Sequence, residues 1–144
     1  MPNREIHNDL HFVPLFAPVA AVTNDTAKVS AIIDTANYNA VEFVLINGTN
    51  TDVNATFTVL VEDGDNSALS DNVAVADDYL VGTEALASFT FADDVECRKI
   101  GYKGLKRYVR LTVTPSGNDS GNWFMAGVAV LGYAASAPTA NPPQ

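Results

Sequence analysis

The chain has 144 residues, of which 47% are hydrophobic and 17% charged, a composition that fits one globular domain and excludes a disordered chain. No apolar run reaches the roughly 18–20 residues that a membrane-spanning helix needs, so no membrane partner is expected. The formal net charge of −9 argues against a nucleic-acid partner, because phosphate groups would be repelled.

The two ends of the chain differ from its middle. Residues 11–18 read HFVPLFAP, and Pro14 and Pro18 would each interrupt pairing in a central strand. The first 18 residues are therefore predicted to form either an edge strand or an extended arm that reaches a neighbouring subunit. Residues 134–144 are rich in proline and predict an extended tail without a core of its own.

Alternating apolar residues predict short strands between these ends. Phe57, Val59 and Val61 would share one face of a strand. Residues 41–46 are apolar almost without interruption, and Asn47-Gly48 follows them as a pair typical of a tight hairpin turn. The other segments with the two-residue period are 29–33, 85–91 and 109–113.

Two further segments complete the pattern. Residues 66–81 are the part of the chain in which a turn of helix is expected. Residues 123–133 are apolar on both faces, as in a central strand or one covered by another subunit. About eight short strands separated by turn residues predict an all-β, single-domain antiparallel sandwich over residues 1–144, jelly-roll-like, with a closed barrel as the main alternative.

Charge is distributed unevenly along the sequence. Residues 29–97 contain thirteen acidic residues and no lysine or arginine, whereas residues 98–110 contain six of the eight basic residues and no acid. This separation predicts that the basic segment contacts acidic loops, either within the chain or in a neighbouring copy. Two tyrosines in the segment would also suit nucleic-acid stacking, but the overall charge opposes it.

Few residues suit catalysis or metal binding. His7 and His11, the only histidines, lie in the proline-flanked N-terminal segment, and Cys97 has no convincing histidine partner. Residues 62–67 combine carboxylates with a glycine, as a Ca²⁺ loop would, but they lack the order of an EF-hand, and an exposed turn is the preferred interpretation. We expect no enzyme, no metal and no cofactor.

Several segments resemble a known family. They are VTNDTA (22–27), IIDT (32–35), VADD (75–78) with GTE (82–84), ASFTFADD (87–94), RKIGYKG (98–104) and RYVRLTVTP (107–115). Over about residues 11–138 the chain resembles the head decoration, or cement, proteins of tailed bacteriophages, which are encoded near the major capsid protein.

The resemblance implies a virion structural protein that binds the major capsid protein lattice on the outer surface of the capsid. Self-association into a dimer or trimer would suit this role, because it multiplies modest contacts. The family has no catalytic residues to carry over. The candidate interface residues are Phe12, Pro14, Phe16, Lys103, Lys106, Arg107 and Arg110.

Two other functions stay open at this point. One is a different phage structural module, associated with head completion, the tail or a fibre. The other is a carbohydrate-binding β-sandwich, which would need aromatic side chains on one exposed surface. The aromatic residues available for such a surface are Tyr38, Tyr79, Tyr102, Trp123 and Tyr133.

Overall fold

The computed structural model describes residues 5–143 as two antiparallel β-sheets with a common core. The strands are β1 (His11–Phe16), β2 (Lys28–Val29), β3 (Ile33–Asp34), β4 (Tyr38–Asn50), β5 (Thr56–Gly64), β6 (Val73–Ala74), β7 (Leu80–Val81), β8 (Phe89–Thr90), β9 (Cys97–Tyr102), β10 (Tyr108–Ser116) and β11 (Trp123–Ala134). The helical elements are a 3₁₀ turn (Asp77–Tyr79) and the single-turn helix α1 (Glu84–Ala87).

The strands divide into a five-stranded and a six-stranded sheet. The five-stranded sheet has the order β1-β11-β4-β9-β7. The six-stranded sheet has the order β2-β10-β5-β6, with β3 also paired to β10 and β8 to β5. The predicted all-β antiparallel sandwich is confirmed, and the two separate sheets exclude the closed barrel. Among residues 5–143, no helix is long and apolar enough to cross a membrane.

A cluster of three aromatic rings lies at the centre of the core. The ring centroids of Phe57 and Phe89 are 4.9 Å apart, and those of Phe57 and Trp123 are 4.3 Å apart. Trp123 is fully buried, and its Nε1–H donates a hydrogen bond of 2.7 Å to Oδ1 of Asn47. Burial of the indole ring therefore leaves no unsatisfied donor, and one bond ties β11 to β4.

The predicted turn at Asn47-Gly48 is wrong. Strand β4 continues through both residues, and its pairing with β11 shifts register beside them, between Trp123 and Met125. Asn47 faces the core and bonds Trp123 there. At Gly48, a Cβ atom would come within 2.9 Å of the carbonyl oxygen of Phe124. Asn47 and Gly48 therefore lie at an irregularity inside a long strand. The first position requires a side-chain amide, and the second requires a residue without a Cβ atom.

The predicted strand over residues 85–91 is only partly right. Residues Glu84–Ala87 form α1, because the side chain of Thr83 accepts a backbone N–H as an N-cap, and only Phe89–Thr90 form a strand. The helical turn expected within residues 66–81 is present as the 3₁₀ turn.

The two ends of the described chain are tied to each other. Strand β1 lies at the edge of its sheet, which is the first of the two alternatives for the N-terminal segment. In the tail, the Thr139 backbone N–H donates to the Asn8 carbonyl at 2.9 Å, and the Thr139 hydroxyl donates to the Leu10 carbonyl at 2.6 Å. Residues 1–4 and 144, which belong to the predicted arm and tail, lie outside the described residues.

Candidate interaction surface

The outer face of the five-stranded sheet is almost entirely apolar. Along each strand, alternate residues point away from the core side chains such as Phe43 and Leu45. We call this outer surface the apolar face. Its side chains, placed by strand register, are Phe12, Pro14, Ala40, Glu42, Val44, Ile46, Val81, Cys97, Lys99, Phe124, Ala126, Val128 and Val130.

Large apolar side chains on this face are open to solvent. Ile46 and Phe124 are each 50% exposed, and Val81 at the edge strand is exposed as well. Leu86 of α1 extends the surface, because it lines the same depression as Val81 and Lys99. A continuous apolar surface on a sheet marks a site that another molecule covers.

The outer face of the six-stranded sheet has the opposite character. Threonines point outward along β5 and β10, as at Thr58 and Thr114. Beside them, Nε of Arg110 donates a 2.9 Å hydrogen bond to Oε2 of Glu62. We call this surface the polar face. Since water can satisfy its groups, it needs no partner.

The two charged residues on the apolar face are Glu42 and Lys99, which do not form an ion pair with each other. The side chain of Glu42 lies across Gly101, where a Cβ atom would approach its Oε2 to 2.7 Å. Burial raises the pKa of the Glu42 carboxyl, and the nearby Lys99 charge partly offsets that effect. Glu42 forms no ion pair with another of residues 5–143, and a half-buried carboxylate of this kind is a group that a partner's cation would stabilise.

The basic segment contacts acids of its own chain. Arg107 makes two hydrogen bonds of 2.8 Å to the Asp34 carboxylate, which lower the pKa of Asp34. Lys106 forms an ion pair with Asp65, and Arg98 pairs with an acidic loop before β9. The alternative that the charges meet within the chain is therefore the one observed, although a further interface role for these cations stays a prediction.

The candidate interface residues fall in different places. Phe12 and Pro14 lie on the apolar face, whereas Phe16 is buried and offers little surface to a partner. Arg110 belongs to the polar face, and Lys106 and Arg107 lie in the loop before β10. The fourth basic candidate, Lys103, lies in the same loop, is exposed and makes no ion pair among the described residues.

The residues considered for chemistry are separated or occupied. His11 lies on β1 and Cys97 on β9, with two strands between them. Residues 62–67 were expected to form an exposed turn, but residues 62–64 belong to β5. There the buried Asp63 accepts a 2.7 Å hydrogen bond from the Tyr102 hydroxyl, and Glu62 binds Arg110. Within residues 5–143, no group of three or more potential metal ligands is present.

The aromatic residues considered for sugar binding do not share a surface. Trp123 and Tyr102 are buried in the core. Tyr133 is exposed on the five-stranded sheet, and Tyr79 is exposed in the 3₁₀ turn beside β7. Tyr38, the fifth residue, is half-buried and stacked on His11. A flat aromatic platform needs neighbouring exposed rings, so these five residues do not form the expected signature of a carbohydrate-binding module.

Comparison with known proteins shows the fold. No protein-family model and no curated protein matches the chain. The crystal structure of PBSX exported protein XepA is similar, with a TM-score of 0.54 and 12% identity; the match covers 97% of this chain and 42% of that one. This chain thus spans about two fifths of that structure's length.

Weaker likenesses extend to other β-rich proteins. A structure of infectious bursal disease virus, Gx strain, has a TM-score of 0.48 and 10% identity over 90% of this chain and 33% of that one. The xylan-binding module CBM15 has a TM-score of 0.42 and 9% identity over 92% of this chain and 95% of that one. The cement-protein family and its function stay predictions.

The main residues of the apolar face were not predicted from the sequence, although the sequence pattern indicates them. Ile46 and Phe124 were not among the candidate interface residues. Both belong to segments that are apolar on both strand faces, residues 41–46 and 123–133. One face of such a strand fills the core, so the other must be covered by a further layer or a partner.

Proposed function

We propose that this protein is a virion structural protein, a binding protein rather than an enzyme, which decorates and stabilises a phage capsid. The observation that carries the proposal is the apolar face, a broad sheet surface with one acid and one base among its outward side chains. Its contact with the major capsid protein lattice is centred on Ile46 of β4 and Phe124 of β11, two large apolar side chains that are half exposed on this face.

The energetics of a shell favour a protein of this kind. A decoration protein that binds the assembled lattice, and not its separated subunits, adds its binding free energy to the stability of the particle. Each copy needs only a modest apolar contact, because many copies act together and self-association multiplies the contacts. A rigid sheet surface loses little conformational entropy on binding.

The charge of the chain supports a place on the outer surface of the capsid. The net charge is −9, and four of the six cations in residues 98–110 are paired with acids of the same chain. Packaged DNA would repel such a protein from the inner surface. The fold similarity to a PBSX protein, a phage protein, supports the phage setting.

A different phage structural module is the nearest alternative, since a tail or head-completion protein would also bury an apolar sheet surface. A carbohydrate-binding module has less support, because Trp123 and Tyr102 are in the core.

The test is co-sedimentation of the purified protein with mature heads that lack it. We expect saturable binding and heads that resist heating better than undecorated ones. No binding to heads, together with a stable soluble protein, would overturn the proposal and favour the tail-associated or sugar-binding alternatives.

A further inference from the structure

A cavity of about 440 Å³ lies at one end of the apolar face. It is lined by the start of β4, the end of β11, the segment before β1 and the C-terminal tail. Apolar groups such as Leu10 and Val130 form much of its wall. Among the described residues that line it, the charged ones are the acids Asp9 and Glu42.

The lining of the cavity is complementary to a cation that lies next to an apolar side chain. Neither Asp9 nor Glu42 takes part in the ion pairs that residues 5–143 form with one another. Tyr133, which also lines the cavity, is 79% exposed and has a φ of 50°, a left-handed conformation that is rare for a bulky side chain. Strained, exposed residues of this kind concentrate at binding sites.

The complementary groups are present in the loop between β9 and β10. Leu105 is 88% exposed, and Lys103 is exposed without an ion pair among the described residues. The loop thus presents one apolar side chain and one cation, two positions apart. These are the two kinds of group that the cavity would bind.

The loop is held in shape from inside. The Tyr102 hydroxyl donates to Asp63 at 2.7 Å and accepts the Lys106 backbone N–H at 3.1 Å. Gly104 lies so close to the Tyr102 ring that a Cβ atom there would approach it to 2.4 Å. Leu105 is therefore held in an exposed position by a fixed turn, which reduces the entropy lost on binding.

The loop and the cavity lie at the same end of the sheet. Val41 of β4, at the cavity, pairs both with Tyr102 of β9 and with Leu131 of β11. A cleft lined by Tyr38 and Leu105 separates the two features, and no residue of the loop lines the cavity of its own chain. Strand spacing puts them about 5–10 Å apart. Two copies related by a two-fold axis between the features would each place a loop in the other's cavity.

We propose that this cavity binds the loop of residues 103–105 from a second copy of the chain, forming a reciprocal two-fold dimer. Leu105 packs against Leu10 and Val130, and the Lys103 ammonium pairs with the carboxylate of Glu42. The dimer leaves the other end of the apolar face, at Ile46 and Phe124, available for the capsid. The inference deepens the self-association in the proposed function, but does not depend on a capsid.

Sedimentation velocity of the full chain over a range of concentrations tests the proposal. We expect a reversible dimer of the 15.3 kDa chain. Leu105→Ser and Lys103→Glu should each raise the dimer Kd about tenfold or more, because each change is felt at two contacts per dimer. The double variant Glu42→Lys with Lys103→Glu should restore dimerisation. The matched controls lie away from the loop and the cavity. Val19→Ser, at an exposed valine, matches Leu105→Ser, and Lys28→Glu matches Lys103→Glu.

Each other outcome overturns the proposal. A monomer at all concentrations, an oligomer other than a dimer, or a dimer that Leu105→Ser leaves unchanged would do so. Failure of the double variant to restore a dimer that Lys103→Glu has weakened would refute the reciprocal pairing. Circular dichroism of each variant confirms folding, and Leu105→Ser changes a side chain too exposed to affect it. Because the assay contains no heads, its result is independent of whether the protein decorates a capsid.

Discussion

Trp123 joins the aromatic cluster of the core to β4 through its hydrogen bond with Asn47. Replacing it by Phe removes the Nε1–H donor and leaves Oδ1 of the buried Asn47 without its partner. We expect Trp123→Phe to lower the free energy of unfolding by about 2–4 kcal/mol, from an unsatisfied acceptor and a small cavity. Guanidinium denaturation followed by circular dichroism measures it.

The control is Phe124→Leu, one residue away on the outer face. It should change the free energy of unfolding by less than about 0.5 kcal/mol, because the ring is half exposed. If Trp123→Phe were as mild as this control, the Asn47 hydrogen bond would not have the importance given to it.

Asp52 gives the molecule an acid-sensitive contact. Its buried carboxylate accepts backbone N–H groups of Ser120 and Asn54, which lower its pKa below the ordinary 3.8, and further bonds from Ser120 and Asp119 act the same way. A group whose pKa is lower in the folded state stabilises the protein above its unfolded pKa. That contribution is lost as the pH falls through the folded pKa.

We therefore expect Asp52→Asn to lower the Tm at neutral pH and to lower it less as the pH falls from about 6 to about 2. Thermal unfolding of both proteins across this range measures the difference. Other acids with lowered pKa values, such as Asp34 and Asp93, are the same in both proteins and cancel. A Tm difference that does not change with pH would show that the Asp52 charge contributes nothing.

At the scale of elements, β1 is both an edge strand and a part of the core. Removal of residues 1–10 should leave the protein folded. It removes contacts of His7, Asn8 and Leu10 with the C-terminal tail, and none of these three residues belongs to the core. Removal of residues 1–16 should abolish stable folding, because Leu15 and Phe16 are buried and the edge of β11 becomes exposed. Thermal unfolding and size-exclusion chromatography distinguish the two truncations. Similar Tm values for both would contradict the role of β1 in the core.

The periodicity of the sequence predicted strands well where the two-residue alternation is set by burial on one side. Phe57, Val59 and Val61 point into the core as expected. It failed at Asn47-Gly48, because the same residue pair serves a hairpin and an irregularity inside a strand, and only the partner strand distinguishes them. It failed at α1 because the Thr83 cap, a contact of one side chain, decides between a helical turn and a strand.

The candidate surface could be predicted only in part. The excess of apolar residues in β4 and β11 was visible in the sequence. Whether these residues form a continuous outer surface depends on which strands become neighbours in the sheet. The pairing of Arg107 with Asp34 and of Arg110 with Glu62 joins residues far apart in the chain. Such contacts depend on strand register, which a single sequence does not specify.

For the whole molecule, the essential feature is the contrast between its two outer surfaces. The apolar face carries Ile46 and Phe124, and the polar face carries threonines and the Arg110–Glu62 pair. A free monomer would place the apolar face in water at a free-energy cost of roughly 25 cal/mol per Å² of exposed apolar area. We therefore expect the protein to bury that surface against a partner.

The most direct test compares matched charge substitutions on the two faces in the co-sedimentation assay with undecorated heads. Ile46→Lys on the apolar face should abolish saturable binding, since a buried unpaired charge costs several kcal/mol. Thr58→Lys on the polar face should bind like the unaltered protein. Both variants should keep their Tm, because both side chains point away from the core. Equal binding by the two variants, or loss of binding only in Thr58→Lys, would show that the apolar face does not bind the capsid.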